Sequence, residues 1–123
     1  MKHYKVGVIP VTKDGRVVLI TSRGSGDWIF PKGCCERGRS DRAVARDEAY
    51  EEAGLFGVMH RGYRDFKISR RKNGKRLRIF RMKVSDVLSR FPESRERRRA
   101  IVSIEKAEKM LSKELRVILR MML

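Results

Sequence analysis

The sequence predicts an α/β fold (α+β) in which helices pack on a mixed β-sheet. Two β-branched runs come first, a helical segment follows them, two further strand runs come next, and the C-terminal segment has the apolar spacing of an amphipathic helix. With 123 residues, of which 41% are hydrophobic, the chain is long enough to bury a core without disulfides or a structural metal. We therefore expect a single domain over residues 1–123.

The N-terminal part is predicted to form a hairpin and a short strand. The runs at residues 4–12 and 16–21 are rich in β-branched residues and are separated by the turn signal "KDG". Pro10 predicts that the first strand is kinked or lies at an edge of the sheet, because proline lacks the N–H that a central strand uses. The segment "WIF" is expected to be a short strand.

A long loop and one helix are predicted in the middle of the chain. The loop "PKGCCERGRSD" contains glycines and shows no hydrophobic period. Ser40 and Asp41 offer side-chain oxygens that can cap a helix from about residue 42 to residue 53. Gly54 ends this helix, because glycine readily adopts the left-handed conformation found after a helix C-terminus.

A second hairpin is predicted from the runs "VMHRGYRDFKIS" and "KRLRIFRMKV", which are joined by "RRKNG" with its Asn-Gly turn signal. In the second run, Leu77 and Ile79 share one face while Phe80 and Met82 take the other, which indicates a bulge or burial on both sides. A short strand "AIVSI" and one amphipathic helix complete the chain. The apolar residues that predict this helix are Ile104, Ala107, Leu111, Leu115, Ile118, Leu119 and Met122.

The net charge of +16 arises from 31 Lys and Arg against 15 Asp and Glu, and it is distributed unevenly. Residues 56–100 contain 16 basic and four acidic residues. Such a surface attracts polyanions, whether nucleic acid, polyphosphate or a heavily phosphorylated small molecule. The net charge alone does not distinguish among these polyanions.

Hydropathy and cysteine content indicate a cytoplasmic protein without a membrane partner. No run approaches the roughly 18 apolar residues of a membrane-spanning helix, and the first residues do not resemble a signal peptide. The cysteines, Cys34 and Cys35, are adjacent, which suits neither a usual disulfide nor a pair of zinc ligands. We expect both to be reduced thiols, because His3 and His60 are too distant in sequence to complete a zinc site.

Four carboxylates lie within six residues of the predicted central helix, at Asp47, Glu48, Glu51 and Glu52. Helical spacing places the three glutamates on one face, where like charges three or four residues apart each cost about 0.2–0.5 kcal/mol. A bound cation would explain why this repulsion is tolerated. Carboxylate and carbonyl oxygens are the ligands of hard divalent ions such as Mg²⁺ or Mn²⁺.

The segment "GCCERGRSDRAVARDEAYEEAGL", residues 33–55, resembles the signature box of the Nudix hydrolases. The preceding "WIFPKG" adds to the likeness. The resemblance implies an α/β/α sandwich with the mixed sheet between helices. It also implies divalent-metal-dependent hydrolysis of a phosphoanhydride bond that links phosphate to another moiety.

The residues that match the box carry implied roles. Glu48, Glu51 and Glu52 are the implied catalytic carboxylates. Glu48 and Glu52 are implied metal ligands, Glu51 is a further ligand or the partner of the base, and the backbone carbonyl of Lys32 or Gly33 is another ligand. The implied cofactor is Mg²⁺ or Mn²⁺.

Two positions depart from the family pattern together. Arg39 stands where the family has an acid, and Asp47 stands where it has an arginine. We hypothesise that the two residues form the family's structural ion pair with its signs exchanged, which would keep the loop docked on the helix. The alternative is that the box is degenerate and no longer binds metal.

Within the family the chain is most similar to the phosphohydrolases of diphosphoinositol polyphosphates and dinucleoside polyphosphates. The likeness includes "LITSRGSGDWIFPKG" and "RRRAIVSIEKAEKML". It implies a polyphosphorylated small molecule as substrate. The phosphate-binding residues implied in this way are Ser22, Arg23, Lys75, Arg76 and Arg78. Lys32, where the relatives have glycine, is a further candidate for a phosphate contact.

Three functions remain open from the sequence. The first is a metal-dependent Nudix pyrophosphohydrolase, which cleaves a nucleoside diphosphate-linked, dinucleoside polyphosphate or diphosphoinositol polyphosphate substrate. The second is a catalytically impaired Nudix-fold module that senses a phosphorylated ligand. The third is a basic RNA-binding protein, for which the net charge is the whole argument, because no recognition motif supports it. The sequence does not indicate an oligomeric state.

Overall fold

The computed structural model describes residues 3–68 and 76–123. The Asn-Gly turn predicted at residues 73–74 therefore lies outside the described residues. Within these two ranges the chain forms seven strands and three helices. In chain order they are β1 (Lys5–Val11), β2 (Val17–Thr21), β3 (Trp28–Ile29), β4 (Lys32–Cys34), α1 (Asp41–Ala53), β5 (Leu55–Lys67), β6 (Arg76–Val87), β7 (Arg99–Val102), α2 (Ile104–Met110) and α3 (Lys113–Met122).

The strands form one mixed sheet, as the sequence predicts. Its main path runs β3-β2-β1-β6-β5, while β4 pairs with β1 and β7 pairs with β2. The pairing between β1 and β6 is parallel and the other pairings are antiparallel. Consequently β1 is central, with partners on both sides.

The sheet is buried on both faces, because helices cover each of them. One face packs against α1 and the other against α2 and α3. In β6, Phe80 and Met82 join the core beneath α1, while Leu77 and Ile79 join the core on the opposite face. The prediction that this strand is buried on both sides is thus confirmed, as is the three-layer arrangement of helix, sheet and helix. None of the helices in the described ranges has the length and hydropathy needed to cross a membrane.

The edge position predicted from Pro10 is wrong. Pro10 lies in the central strand β1, opposite Met82 of β6. On its other side β1 pairs with β4 at residues 5–7 and with β2 at Val11. Pro10 lies between these two pairings, where β1 changes partner, so a missing N–H is tolerated there.

The C-terminal segment forms two helices instead of the predicted one. Leu111 has an extended backbone, with φ −79° and ψ 153°, and this conformation ends α2. The hydroxyl of Ser112 then accepts a hydrogen bond from the amide of Leu115 and caps α3. The apolar residues of both helices face the same core, so their spacing resembled that of a continuous helix.

Helix α1 ends where the sequence predicts and begins one residue earlier than predicted. The hydroxyl of Ser40 accepts from the amide of Ala43 at 3.2 Å, and Gly54 follows the helix with φ +67°. Hydrogen bonds from Arg99 also hold the C-terminal end of this helix. The guanidinium of Arg99 donates to the carbonyl of Ala53 at 2.8 Å and to that of Leu88 at 2.6 Å, which ties α1 to the loop that follows β6.

Candidate active site

The predicted catalytic residues line one polar cavity of about 500 Å³ between α1, β4 and the loops that follow β2 and β6. Seven residues singled out from the sequence lie together in its lining: Ser22, Arg23, Lys32, Gly33, Glu48, Glu51 and Glu52. The other lining residues are Lys5, Gly24, Ile29, Cys34, Glu93 and Arg97. The fold therefore joins the first loop, the glycine loop and the acidic helix into one site.

Strand β4 and α1 make a close contact at Gly33. A Cβ atom at this position would overlap the carboxylate of Glu48 and would lie 3.0 Å from its Cγ. Only glycine permits this approach between the backbone and the side chain. Gly33 thus has a steric role next to Glu48, and the proposed use of its carbonyl or that of Lys32 as a metal ligand stays a prediction.

Glu52 is the most firmly held of the three helical glutamates. It is 6% exposed, and each of its carboxylate oxygens accepts a hydrogen bond. The amide of Lys32 donates to Oε1 at 3.0 Å, and Nη2 of Arg97 donates to Oε2 at 3.1 Å. Glu52 therefore lies at the buried side of the cavity in a fixed orientation, whereas Glu51 is exposed.

Burial and mutual repulsion change the acidity of the paired carboxyl groups. Burial, followed by the negative charge of Glu52, raises the pKa of Glu48 to about 8. Burial also raises the pKa of Glu52, against the opposing effects of the Lys32 amide and of Arg97. The pair of carboxyl groups therefore retains a proton near neutral pH, which a divalent cation bound there would displace.

Arg97 and Glu93 belong to the site, although the sequence analysis did not single them out. Arg97 is nearly buried, and its guanidinium donates to Glu52, to Glu93 at 2.9 Å and to the carbonyl of Thr21 at 2.9 Å. The amide of Glu93 also donates to the carbonyl of Glu51 at 3.0 Å. Both residues come from "PESRERRR", where neighbouring charged residues look alike, so the sequence carries no signal that separates them.

Arg39 and Asp47 form the ion pair that was hypothesised from their exchanged signs. Nη2 of Arg39 donates to Oδ2 of Asp47 at 2.5 Å, and Nη1 lies 3.4 Å from the carboxylate of Glu36. Both partners are about one-third exposed. The pair connects the loop before α1 to the second turn of that helix, one residue before Glu48.

The first loop contributes a cation at the exposed side of the cavity. Arg23 is 57% exposed at its side chain and forms ion pairs with Glu96 at 3.1 Å and Glu93 at 3.8 Å. On the opposite side, the ammonium of Lys5 donates to the sulfur of Cys34 at 3.1 Å. A phosphate that binds Arg23 must therefore compete with two carboxylates.

Arg76 and Arg78, two of the three basic residues predicted on the second hairpin, do not join this cavity. Arg78 pairs with Asp41 at 3.0 Å and with Asp65 at 2.8 Å, and it lies over the ring of Tyr63. Arg76 lies over the ring of Tyr4, 4.4 Å from its centroid. Neither arginine lines the cavity as far as the described residues define it. Lys75, the third predicted residue of this group, lies outside the described ranges.

The donor atoms of the cavity suit a hard divalent cation. Glu48 and Glu52 adjoin each other, and their donors are oxygens, as Mg²⁺ prefers. Within residues 3–68 and 76–123 no three His, Cys, Asp or Glu side chains are already gathered as a metal-binding group. Mg²⁺ commonly binds through one or two carboxylates together with water and substrate phosphates, so two adjoining carboxylates fit its requirements.

Comparison with known proteins identifies the family. The family model of the NUDIX domain matches residues 1–122. Over 97 residues, 77% of this chain, the sequence is 30% identical to Nudix hydrolase 4 of Arabidopsis thaliana, and the matched region is 47% of that relative, so the chain spans about half its length.

Solved structures share the fold at lower identity. Ap4A hydrolase of C. elegans is similar with a TM-score of 0.77 and 21% identity, covering 98% of this chain and 95% of that one. A MutT protein from Methanosarcina mazei Go1 is similar with a TM-score of 0.70 and 21% identity, covering 97% and 91%. With the helix-sheet-helix fold and the match of the family model over almost the whole sequence, the chain belongs to the Nudix family.

Proposed function

We propose that this protein is a metal-dependent hydrolase that cleaves a phosphoanhydride bond in a polyphosphorylated small molecule. One observation carries the proposal: Glu48 and Glu52 adjoin at the buried side of a cavity whose lining also includes the cations Lys5, Arg23 and Lys32. Carboxylates that adjoin can share a divalent cation, and the cations favour a substrate with several negative charges.

The side chains of the cavity have different roles in the proposed reaction. A bound Mg²⁺ or Mn²⁺ would neutralise charge on the phosphates and acidify the attacking water. Glu52 is held in place by Lys32 and Arg97, so it offers a preorganised ligand oxygen. Glu51 is exposed at the cavity, and its carboxylate would accept the proton of the water as a general base.

Phosphate, more than a nucleobase, is the group that this cavity recognises. No aromatic side chain is found among the described residues of its lining, so it provides no ring on which a base could stack. Dinucleoside polyphosphates and diphosphoinositol polyphosphates are therefore the substrates to test first, and the name of the C. elegans relative supports the inclusion of Ap4A.

A substrate panel tests this proposal. Product release is measured with Ap4A, a diphosphoinositol polyphosphate, a nucleoside diphosphate-linked sugar and RNA with a 5′ polyphosphate, each with Mg²⁺ or Mn²⁺. The wild-type protein is compared with Glu52→Gln and with Glu105→Gln, which neutralises an exposed carboxylate on α2. We expect turnover of at least one substrate that is lost in Glu52→Gln and retained in Glu105→Gln. Equal turnover in both variants would contradict the proposal.

The exchange of Arg39 and Asp47 favours a second candidate, a sensor that binds a phosphorylated ligand without cleaving it. The same panel separates the two functions. Saturable binding of a panel compound, without turnover under any metal condition, would establish the sensor and exclude the hydrolase.

A further inference from the structure

A second cavity lies on another side of α1, and this one is basic. It has a volume of about 470 Å³ and is lined by Arg42 and Arg46 from α1 and by Arg61, Val58 and Met59 from β5. It shares no lining residue with the cavity that contains Glu48, Glu51 and Glu52, which we call the catalytic cavity after the proposed function. Three guanidinium groups thus converge in a place that the proposed hydrolysis does not use.

Acidic residues do little to neutralise this cavity. None of its lining residues is acidic, as far as the described chain defines them. Arg46 lies 3.7 Å from Asp47, but the other carboxylate oxygen of Asp47 is bound by Arg39. In residues 3–68 and 76–123, neither Arg42 nor Arg61 has an ion-pair partner. The positive potential of the cavity is therefore available to an anion.

Helical geometry separates this cavity from the catalytic carboxylates. Arg42 and Arg46 are four residues apart and share a face of α1, as do Glu48 and Glu52. At 3.6 residues per turn the two faces are about 120° apart around the helix axis. A small substrate in the catalytic cavity would not occupy both faces at once, so the basic cavity calls for a ligand of its own.

An exposed pair of stacked aromatic rings continues the same surface. The rings of Tyr50 and Phe56 are parallel to within 6°, with centroids 5.3 Å apart, and the two residues are 37% and 47% exposed. Tyr50 follows Arg46 by about one turn on α1, and Phe56 precedes Val58 by two residues on β5. The arginines and the stacked rings therefore lie one after the other along the groove between α1 and β5.

We propose that this arginine groove, formed by Arg42, Arg46, Arg61, Tyr50 and Phe56, binds single-stranded nucleic acid. The helical rise from residue 42 to residue 50 is about 12 Å, a length that a few consecutive phosphates of a single strand can span. The arginines bind the phosphates, and a base extends the stack of the two rings. The rings favour an oligonucleotide over inorganic polyphosphate, which has no group that stacks.

Binding of an oligonucleotide that the enzyme cannot cleave tests the proposal. The probe is an unstructured RNA 10-mer with a 5′-hydroxyl group, which contains no phosphoanhydride, so the result does not depend on hydrolysis. Fluorescence anisotropy compares the wild type with the triple variant Arg42→Gln, Arg46→Gln, Arg61→Gln. The matched control is Lys13→Gln, Lys67→Gln, Lys106→Gln, which removes the same charge from exposed positions elsewhere.

We expect the arginine variant to bind at least tenfold more weakly. The slope of log affinity against log salt concentration should also be shallower by about two, since each neutralised phosphate contributes about 0.7 to it. The lysine control should bind within about twofold of the wild type. If RNA binding is weakened equally in both triple variants, it depends on net charge alone, and the proposed role of the groove is overturned. Thermal melting of each variant verifies that it is folded.

A ring variant and a competitor identify the ligand class. Phe56→Leu keeps an apolar side chain but removes the ring, and we expect it to weaken RNA binding about fivefold or more while leaving inorganic polyphosphate binding unchanged. If Phe56→Leu has no effect and polyphosphate displaces RNA at equal phosphate concentration, the groove binds a bare phosphate chain and the nucleic-acid assignment is overturned.

Discussion

Three consecutive arginines show how differently identical residues are used. Arg97 is nearly buried between Glu52 and Glu93, Arg98 lies over the ring of Trp28, and Arg99 donates to the carbonyls at the end of α1. Each side chain leaves β7, or the loop before it, in a different direction. Of the three, only Arg97 touches a proposed catalytic carboxylate, Glu52, so its substitution should affect the reaction most directly.

Substitution of Arg97 should lower both stability and metal affinity. Arg97→Gln leaves the buried carboxylate of Glu52 without its cation, a change that typically costs about 3–5 kcal/mol. Arg97→Lys retains the charge but not the three-way hydrogen bonding, so we expect an intermediate loss. Urea unfolding and Mg²⁺ titration measure the two effects. The control is Arg95→Gln at an exposed neighbouring position, and an Arg97→Gln variant as stable as this control would contradict the prediction.

Arg78 has a structural role in the fold, and its use as a substrate contact stays a prediction. Its guanidinium lies between Asp41 and Asp65 and is only 18% exposed. These contacts join β6 to the start of α1 and to β5. The charge of Arg78, one of the cations that suggested phosphate binding from the sequence, is therefore used in contacts within the fold.

Arg78→Gln should make the protein more sensitive to acid without impairing substrate binding. The hydrogen bond from Arg78 lowers the pKa of Asp65 below its ordinary value of 3.8. Its stabilisation is thus fully present above about pH 3.8 and is lost as the pH falls through the lower folded-state value. Arg78→Gln should raise the midpoint pH of acid unfolding, and Lys83→Gln on the same strand is the control. A raised KM with unchanged stability would instead make Arg78 a substrate contact.

At the scale of single elements, α1 carries most of the functional surface. One face presents Glu48 and Glu52 to the catalytic cavity, and another presents Arg42 and Arg46 to the arginine groove. The contact between Arg39 and Asp47 joins α1 to the preceding loop. The same loop follows β4, in which Gly33 touches Glu48.

A double-mutant cycle tests whether the exchanged ion pair holds this loop. Arg39→Glu and Asp47→Arg should each lower activity and cost up to about 1 kcal/mol, since both side chains are partly exposed. Together they restore an attractive pair, so we expect a coupling energy of at least about 0.5 kcal/mol in urea unfolding and a partial recovery of turnover. Recovery stays incomplete because Glu36 would then face a glutamate at position 39. Additive losses would show that the contact does not hold the loop.

At the scale of the whole molecule, strong positive charge surrounds a small acidic site. The formal net charge is +16, yet four glutamates, at positions 48, 51, 52 and 93, line the catalytic cavity. Without a cation, burial opposes the ionisation of Glu48 and Glu52 and raises the pKa of both groups, and the charge of Glu52 adds to this effect at Glu48. Metal binding should therefore stabilise the entire fold.

Mg²⁺ or Mn²⁺ should raise the melting temperature of the wild-type protein. A ligand at 100 times its dissociation constant stabilises the folded state by about 2.7 kcal/mol, which corresponds to a shift of several degrees for a chain of this size. Glu52→Gln should abolish most of this shift, whereas Glu105→Gln should retain it. The scans are compared at equal ionic strength, and an equal shift in the two variants would place the metal elsewhere.

Local patterns in the sequence determined most of the elements and the acidic part of the site. They missed β4, which lies in the segment predicted to be a loop, and the break between α2 and α3. The β-branched runs, Ser40, Gly54 and the helical spacing of Glu48, Glu51 and Glu52 act over short distances along the chain, so their consequences can be predicted without the fold. The family likeness also follows from fixed spacings, and the hypothesis that Arg39 pairs with Asp47 follows from that likeness. These features required no knowledge of which strands are neighbours.

Only the tertiary structure decided which cations and which further acids join the site. Arg97 reaches Glu52 across 45 positions of sequence, and Arg78 meets Asp41 across 37. Such contacts depend on strand order and on the direction of each side chain, which no local pattern contains. For the same reason the position of Pro10 in a central strand was not predictable, because its tolerance depends on the place where β1 changes partner. The sequence therefore determined the chemistry of the carboxylates, and the fold determined which cations surround them.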